Sequence, residues 1–328
     1  MTSLLEAAGV APAALGPVAV IVAFAVDRLA GEPRDRWHPV AWIGRALSAA
    51  GAPWPRASPH RAFLLGTLCW LGGAAVSLIV AGGLARGIVA IESALRSAGR
   101  LDSAVILPGV LLGLVLKPTL SLRMLRDEVL AVERATAAGI EPARAQLRRL
   151  VSRDTSALSE SVIRESAIES LAENLNDAFV APLFWFALGG LPAAALYRFA
   201  NTADAMWGYR GRFEWAGKWA ARADDVLSYV PARITALLIA AAAPASTRGL
   251  GREAAITPSP NSGWPMAMMA LALGVHLSKP GVYALNATAR APETRDLERG
   301  ITVAARAAWL AVGLCVAVLL WRSAARWR

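Results

Sequence analysis

Stretches of sequence without a single charged residue recur from one end of the chain to the other. Residues 62–85 are the clearest, and residues 7–26 and 178–197 also reach the roughly 20 residues an apolar helix needs to cross a bilayer. Residues 103–116, 234–247, 264–278 and 307–321 are shorter windows. They span only with snorkelling flanks or against packed neighbours. Gly189, Gly190 and Pro192 interrupt the 178–197 window, which predicts a broken or re-entrant helix there. The expected fold is all-α: a polytopic integral membrane protein with roughly four to seven apolar helices. Residues 1–328 are expected to form a single membrane domain, with a polar helical segment at 117–177 on its cytoplasmic side.

Composition supports this reading. The chain is 56% hydrophobic and only 18% charged, against about 45–50% and about 25% in an ordinary soluble domain. Disordered, collagen-like and coiled-coil classes are excluded. The formal net charge is +10, and the basic residues fill the gaps between apolar windows. That is the positive-inside pattern, and it points to a multi-pass protein of the cell (inner) membrane with its working face in the cytoplasm. There is no zinc-finger spacing and no isolated basic arm, so nucleic acid is not an expected partner. The opening MTSLLEAAG lacks a positive n-region, so the first apolar window is expected to be retained. Cys69 and Cys315 lie inside apolar windows and read as small core residues.

The segment 164–184, RESAIESLAENLNDAFVAPLF, carries the strongest chemical signal. Glu165, Glu169, Glu173 and Asp177 recur every four residues. Each such step drifts about 40° on a helix, so the first three share a face and Asp177 sits at its edge. Like charges at this spacing destabilise an isolated helix by about 0.2–0.5 kcal/mol per pair. Such a ladder persists where something positive faces it. The bland alternative is a solvated acidic face paired with arginines such as Arg164. Against it, the ladder runs straight into an apolar window, and Asn174 and Asn176 are interleaved. Clustered hard oxygen donors suit Mg²⁺.

Two further segments add polar groups beside apolar windows. In 197–209, YRFANTADAMWGY, Asn201 and Asp204 share a helical face with Arg198 nearby, an arrangement able to anchor phosphate and metal. In 219–234, the adjacent Asp224 and Asp225 lie between Arg222 and Arg233. Neighbouring carboxylates repel when both are ionised, and a bound cation stabilises them together. The bland readings are a polar helix end and a salt-bridged juxtamembrane turn. Weaker signals are Asp27, Glu32 and His38 in 27–40, which alone read as an interfacial loop with a tryptophan anchor. Arg153 and Asp154 read as an isolated surface pair, and the rigid SPNSGWP turn carries Asn261. Gly211, Gly217 and Lys218 imitate a phosphate loop, but the spacing is wrong and Trp219 stands where a hydroxyl is needed.

Taken in order, GEPRDRWHPVAWIGR, ESLAENLNDAFVAPLFWFALGGLP, ALYRFANTADAMWGY, ARADDVLSYVPARI and SPNSGWP resemble the successive motifs of the adenosylcobinamide-phosphate synthase family of cobalamin biosynthesis, the CobD/CbiB type. The resemblance covers roughly residues 26–283. Three positions depart from it. The early Gly-Asp-Pro is Gly31-Glu32-Pro33, Ala178 replaces a glycine after Asp177, and Met266 replaces an acid common after the Trp-Pro pair.

What the resemblance implies is an ATP-dependent amide ligase. It would join adenosylcobyric acid to aminopropanol or aminopropanol phosphate, with Mg²⁺ as cofactor and other cobalamin-assembly proteins as partners alongside the lipid bilayer. On that basis Glu169, Glu173, Asp177, Asp204, Asp224 and Asp225 are expected in metal-binding or base roles. Arg153, Arg198, Arg222 and Arg233 are expected to meet phosphate oxygens, and Asn174 and Asn201 to orient substrate, with His38 and Asn261 as further binding candidates. The competing reading is a membrane transporter for an anionic or corrinoid-like compound, because intramembrane charge and a broken helix suit transport equally well.

Overall fold

A computed structural model describes residues 15–325 except 53, 55, 56, 152, 210, 212 and 244. The start of the 7–26 window therefore lies outside the described residues, and so does the opening segment with its expectation of retention. Among the described residues the regular structure is helical apart from one short hairpin and an isolated bridge between Val275 and Arg290. Five helical stretches are long and apolar enough to cross a membrane: Pro59–Ser97, Ser103–Ala138, Glu160–Trp207, Lys218–Ala242 and Thr294–Ala325. The protein is an all-α, multi-pass membrane protein.

The chain divides into two compact units, both of them discontinuous in sequence. The first comprises Met1–Ser121, Ala181–Leu227 and Val312–Arg328. It contains α1 (Leu15–Ala30), α2 (Pro39–Gly51), α3 (Pro59–Ser97) and α4 (Ser103–Leu116), then a 3₁₀ turn at Lys117–Thr119 and α8 (Ala181–Trp207). Helices α1 and α4 pack closely because α4 presents Gly113. A Cβ there would meet the Ala19 carbonyl oxygen at 2.7 Å. Helix α3 packs on α8 through Trp70 and Phe199, whose ring centroids are 5.8 Å apart. The buried Trp207 donates its indole N–H to the Leu47 carbonyl of α2. The predicted break is present: α8 is two helical segments joined at Gly190, whose backbone (φ 67°, ψ −160°) is not helical.

The second unit comprises Leu122–Val180 and Ser228–Ala311. Its centre is α7 (Glu160–Leu175), capped by Ser159, which α5 (Leu122–Ala138), α6 (Ile140–Leu147) and α11 (Gly263–Leu273) pack against. The strands β1 (Leu277–Lys279) and β2 (Tyr283–Leu285) pair antiparallel, with Lys279 opposite Tyr283, and β1 also packs on α7. Helix α9 (Lys218–Ala242) changes unit after Leu227, and α12 (Thr294–Ala325) after Ala311; α10 (Leu250–Ala254) completes the second unit.

One of the shorter windows does not become a span. The 264–278 window yields only the short α11, which stops at Gly274 in the left-handed region and gives way to the hairpin. The glycine–proline punctuation of the flanking turns outweighs the apolar run. The other shorter windows fall within longer helices: 234–247 begins inside α9, and 307–321 lies inside α12.

Candidate active site

In the second unit the acidic ladder is buried rather than solvated. Glu165 and Glu169 are 1% and 2% exposed, and Glu173 is half-buried. Arg164 points elsewhere and pairs with Glu133 and Glu160, so it does not neutralise the ladder. The positive partner is Arg153, whose Nη2 donates to Glu169 Oε2 at 2.6 Å. The expectation of an isolated surface pair at 153–154 is thereby corrected. Arg153 is drawn inward, while the exposed Asp154 accepts hydrogen bonds from the backbone N–H and hydroxyl of Ser156, which hold its carboxyl below the usual range.

Tyr283, on β2, lies close to Glu169, whose buried Oε1 has no hydrogen-bond partner. Burial, reinforced by the negative charge of Glu169, pushes the Tyr283 phenol far above its ordinary value, so it remains a protonated donor. Its hydroxyl also lies 3.8 Å from the sulfur of Met266. The residue that replaces the family's acid thus faces this tyrosine. Glu165 is saturated by different groups. It accepts from Ser278 Oγ at 2.6 Å and Ser161 Oγ at 3.0 Å, and His276 Nε2 lies 3.1 Å away.

Beyond the ladder, Asn174 donates back to the Ser170 carbonyl at 2.9 Å. Asp177 falls in a π-helical turn at Asn176–Val180, a feature frequent at functional sites. Asn176 donates to Asp177 and accepts from Thr235. Ala178 sits within this turn without a left-handed backbone, so the conformation here does not call for a glycine. Arg233 donates to the Asn261 side chain and the Pro260 carbonyl, both at 3.3 Å, and its guanidinium lies over the Tyr229 and Trp264 rings.

The first unit holds the remaining candidates. Asn201 Nδ2 donates to Asp224 Oδ1 at 3.4 Å, joining α8 to the start of α9. Asp204 is one turn from Gly208, and its carboxylate fills the space a Cβ at 208 would need. Arg198 and Asp225 are half-buried and Arg222 is exposed.

A further cluster surrounds Lys117, which is 3% exposed. Its ammonium lies 2.7 Å from Glu32 Oε1 and 3.3 Å from Oδ1 of the fully buried Asp27. His38 Nδ1 accepts the Val40 N–H and caps α2, which leaves Nε2 to carry the proton and donate to Glu32 at 2.7 Å. Burial raises the Glu32 carboxyl, but the bonds from His38 and Lys117 outweigh it and hold the group below its ordinary value. Sequence reasoning missed Lys117 as a partner, because a lone lysine after an apolar window reads as a topological charge. It also missed His276, Ser278 and Tyr283, which lay within or beside a window taken for a span.

The donor set can be tested against a divalent cation. Among the described residues no three His, Cys, Asp or Glu side chains group to hold a metal ion. Glu173 lies in the second unit, whereas Asp204, Asp224 and Asp225 lie in the first. Within the described residues of either unit, no preformed cage for a resident metal is present.

The profile of the CobD/Cbib protein family matches residues 20–314. The chain belongs to that family. A cobalamin biosynthesis protein CobD from Rhodobacter capsulatus is 37% identical to this family member over 321 residues, covering 92% of this chain and 97% of the relative. A probable cobalamin biosynthesis protein CobD from Methanothermobacter thermautotrophicus is 40% identical over 274 residues, 81% and 85% of the two chains. A cobalamin biosynthesis protein CobD from Brucella suis is 35% identical over 330 residues, 92% and 97% of the two chains. No solved structure gives a significant match to the chain.

Proposed function

We propose that this protein acts in cobalamin biosynthesis as an ATP-dependent amide ligase, joining a side-chain carboxylate of adenosylcobyric acid to the amine of aminopropanol or aminopropanol phosphate. The observation that carries the reading is family membership over residues 20–314, with relatives named for cobalamin biosynthesis across nearly their whole length. The chemistry asks for groups of the kinds described above. The substrate carboxylate attacks the γ-phosphorus of ATP, the bond to ADP breaks, and an acyl phosphate forms. The amine then attacks the acyl carbon, inorganic phosphate leaves, and the proton of the attacking nitrogen passes to a base.

In this reading Arg153, Arg198, Arg222 and Arg233 serve phosphate oxygens, and Asn174 and Asn201 orient substrate. Among Glu169, Glu173, Asp177, Asp204, Asp224 and Asp225 are the proton acceptor and the groups that meet the nucleotide's counter-ion. His38 and Asn261 are assigned to shaping the binding surface, because both are already engaged. Mg²⁺ enters with the nucleotide, in the regime where it keeps its waters and takes one or two protein carboxylates. The ligand-binding face is proposed to open to the cytoplasm.

The test is direct. Membranes containing the protein are incubated with adenosylcobyric acid, aminopropanol phosphate, ATP and Mg²⁺, and the coupled product is sought by mass. Glu173→Ala and Asp204→Ala should each abolish product while the protein still inserts. Near-normal turnover in both variants rejects the residue assignment. The break at Gly190 also suits a transporter; amide formation by purified protein in detergent, without any gradient, decides against transport.

A further inference from the structure

We propose that residues 31–51 of the first unit form a surface arm that lies on anionic lipid headgroups at the end of the bilayer where α3 enters. The arm carries large apolar side chains in the open: Trp37 is 65% exposed and Trp42 47%, and Leu29 just before the arm is 81% exposed. Beside them Arg34, Arg36 and Arg45 are exposed, with Asp35 as the one exposed acid among residues 31–51. Exposed tryptophan beside arginine is the composition of a membrane–water interface, where the ring sits at headgroup depth and the guanidinium meets phosphate.

Three observations place the arm there. Helix α2 turns one side inward, with Leu47 buried and Ile43 packed against the cluster around Trp207. The other side presents Trp42, Arg45 and Ser48 to the outside. Next, α3 begins at Pro59, and its apolar run starts after the exposed His60 and Arg61. The connection 52–58 can reach at most about 25 Å, so α2 stays near the point where α3 enters hydrocarbon. Finally, the aromatic groups are held in place. Trp42 Nε1 donates to the Arg36 carbonyl at 2.9 Å, and the Arg36 guanidinium lies 5.7 Å from the Trp37 ring centre. Behind them the Lys117–Glu32–His38 chain anchors the loop from inside. A preordered arm loses little conformational freedom on binding.

Bromine on lipid acyl chains quenches nearby tryptophan and reads this contact. The full chain is reconstituted into nanodiscs of phosphatidylcholine and phosphatidylglycerol, at one fixed ratio, with bromine on either lipid in turn. Subtracting a W37F/W42F variant from wild type isolates these two of the 12 tryptophans. Their emission should be quenched by both lipids, and about twofold more by brominated phosphatidylglycerol than its mole fraction gives. The triple variant Arg34→Gln, Arg36→Gln, Arg45→Gln should lose the excess and keep the rest. All five substitutions are at exposed positions, and an unchanged unfolding midpoint verifies that the variants fold. Absence of quenching by either lipid overturns the proposal, as expected if a protein partner covers the arm. Quenching in strict proportion to mole fraction in wild type overturns its anionic component.

Discussion

Asp27 and Glu32 of the first unit share one lysine, whereas Glu165 and Glu169 of the second, one helical turn apart, divide their partners. Glu169 takes the Arg153 guanidinium on Oε2, and its buried Oε1 has no hydrogen-bond partner. Glu165 takes two hydroxyls and an imidazole. A buried carboxylate needs several donors or a close cation, since an unpaired charge in a low-dielectric interior costs several kcal/mol. The comparison teaches that acids with separate partners can lose them one at a time, while an ammonium shared by two acids takes a partner from both when it is removed.

Lys117→Met is therefore the most damaging change expected. It strips the ammonium from two buried carboxylates at once and should cost about 3–5 kcal/mol, measured as a fall in unfolding midpoint in detergent. Arg153→Met should cost less, about 3 kcal/mol, because it strips the cation from one buried carboxylate and not two. Equal losses would break the contrast. Tyr283→Phe removes the buried hydroxyl beside Glu169 and Met266 and should cost about 1 kcal/mol. It also has a pH signature. The phenol is raised in the folded state, so its contribution is complete below the ordinary value of 10.0 and declines as pH climbs above it. Wild type should lose stability there more steeply than the phenylalanine variant.

The smallest expected effect lies at the acid end. Glu32 is held below its ordinary value of 4.5, so its contribution is complete above that pH and is lost as pH falls through the lower folded value. Glu32→Gln should flatten the acid limb of the stability curve below pH 4.5, and an unchanged limb would show that the Lys117 cluster does not depend on this carboxylate.

How much of this could be read in advance follows from what each signal encodes. Apolar windows encode lipid exposure directly, so α3, α9, α12 and the break at Gly190 were legible. The four-residue period of the ladder encodes one helical face, and Glu165 and Glu169 do lie buried together on α7. What a period cannot encode is who faces it. Arg153 reaches Glu169 across 16 positions, and Ser278 reaches Glu165 across 113. The second pairing is decided by the hairpin packing on α7, and the hairpin begins inside an apolar stretch that hydropathy does not distinguish from a helix. Lys117 escaped for a related reason: its partners lie in α1 and in the loop after it, so nothing local marks it.

The engagement of both His38 nitrogens has a practical consequence for reagents. Acylating electrophiles such as diethyl pyrocarbonate attack an imidazole through a free lone pair. Here one nitrogen spends its lone pair on the Val40 amide, and the other bears the proton given to Glu32. His60, by contrast, stands in solvent or headgroup at the start of α3. Labelling of His60 should be immediate, and the much slower labelling of His38 would serve as a built-in clock for how often the first unit opens.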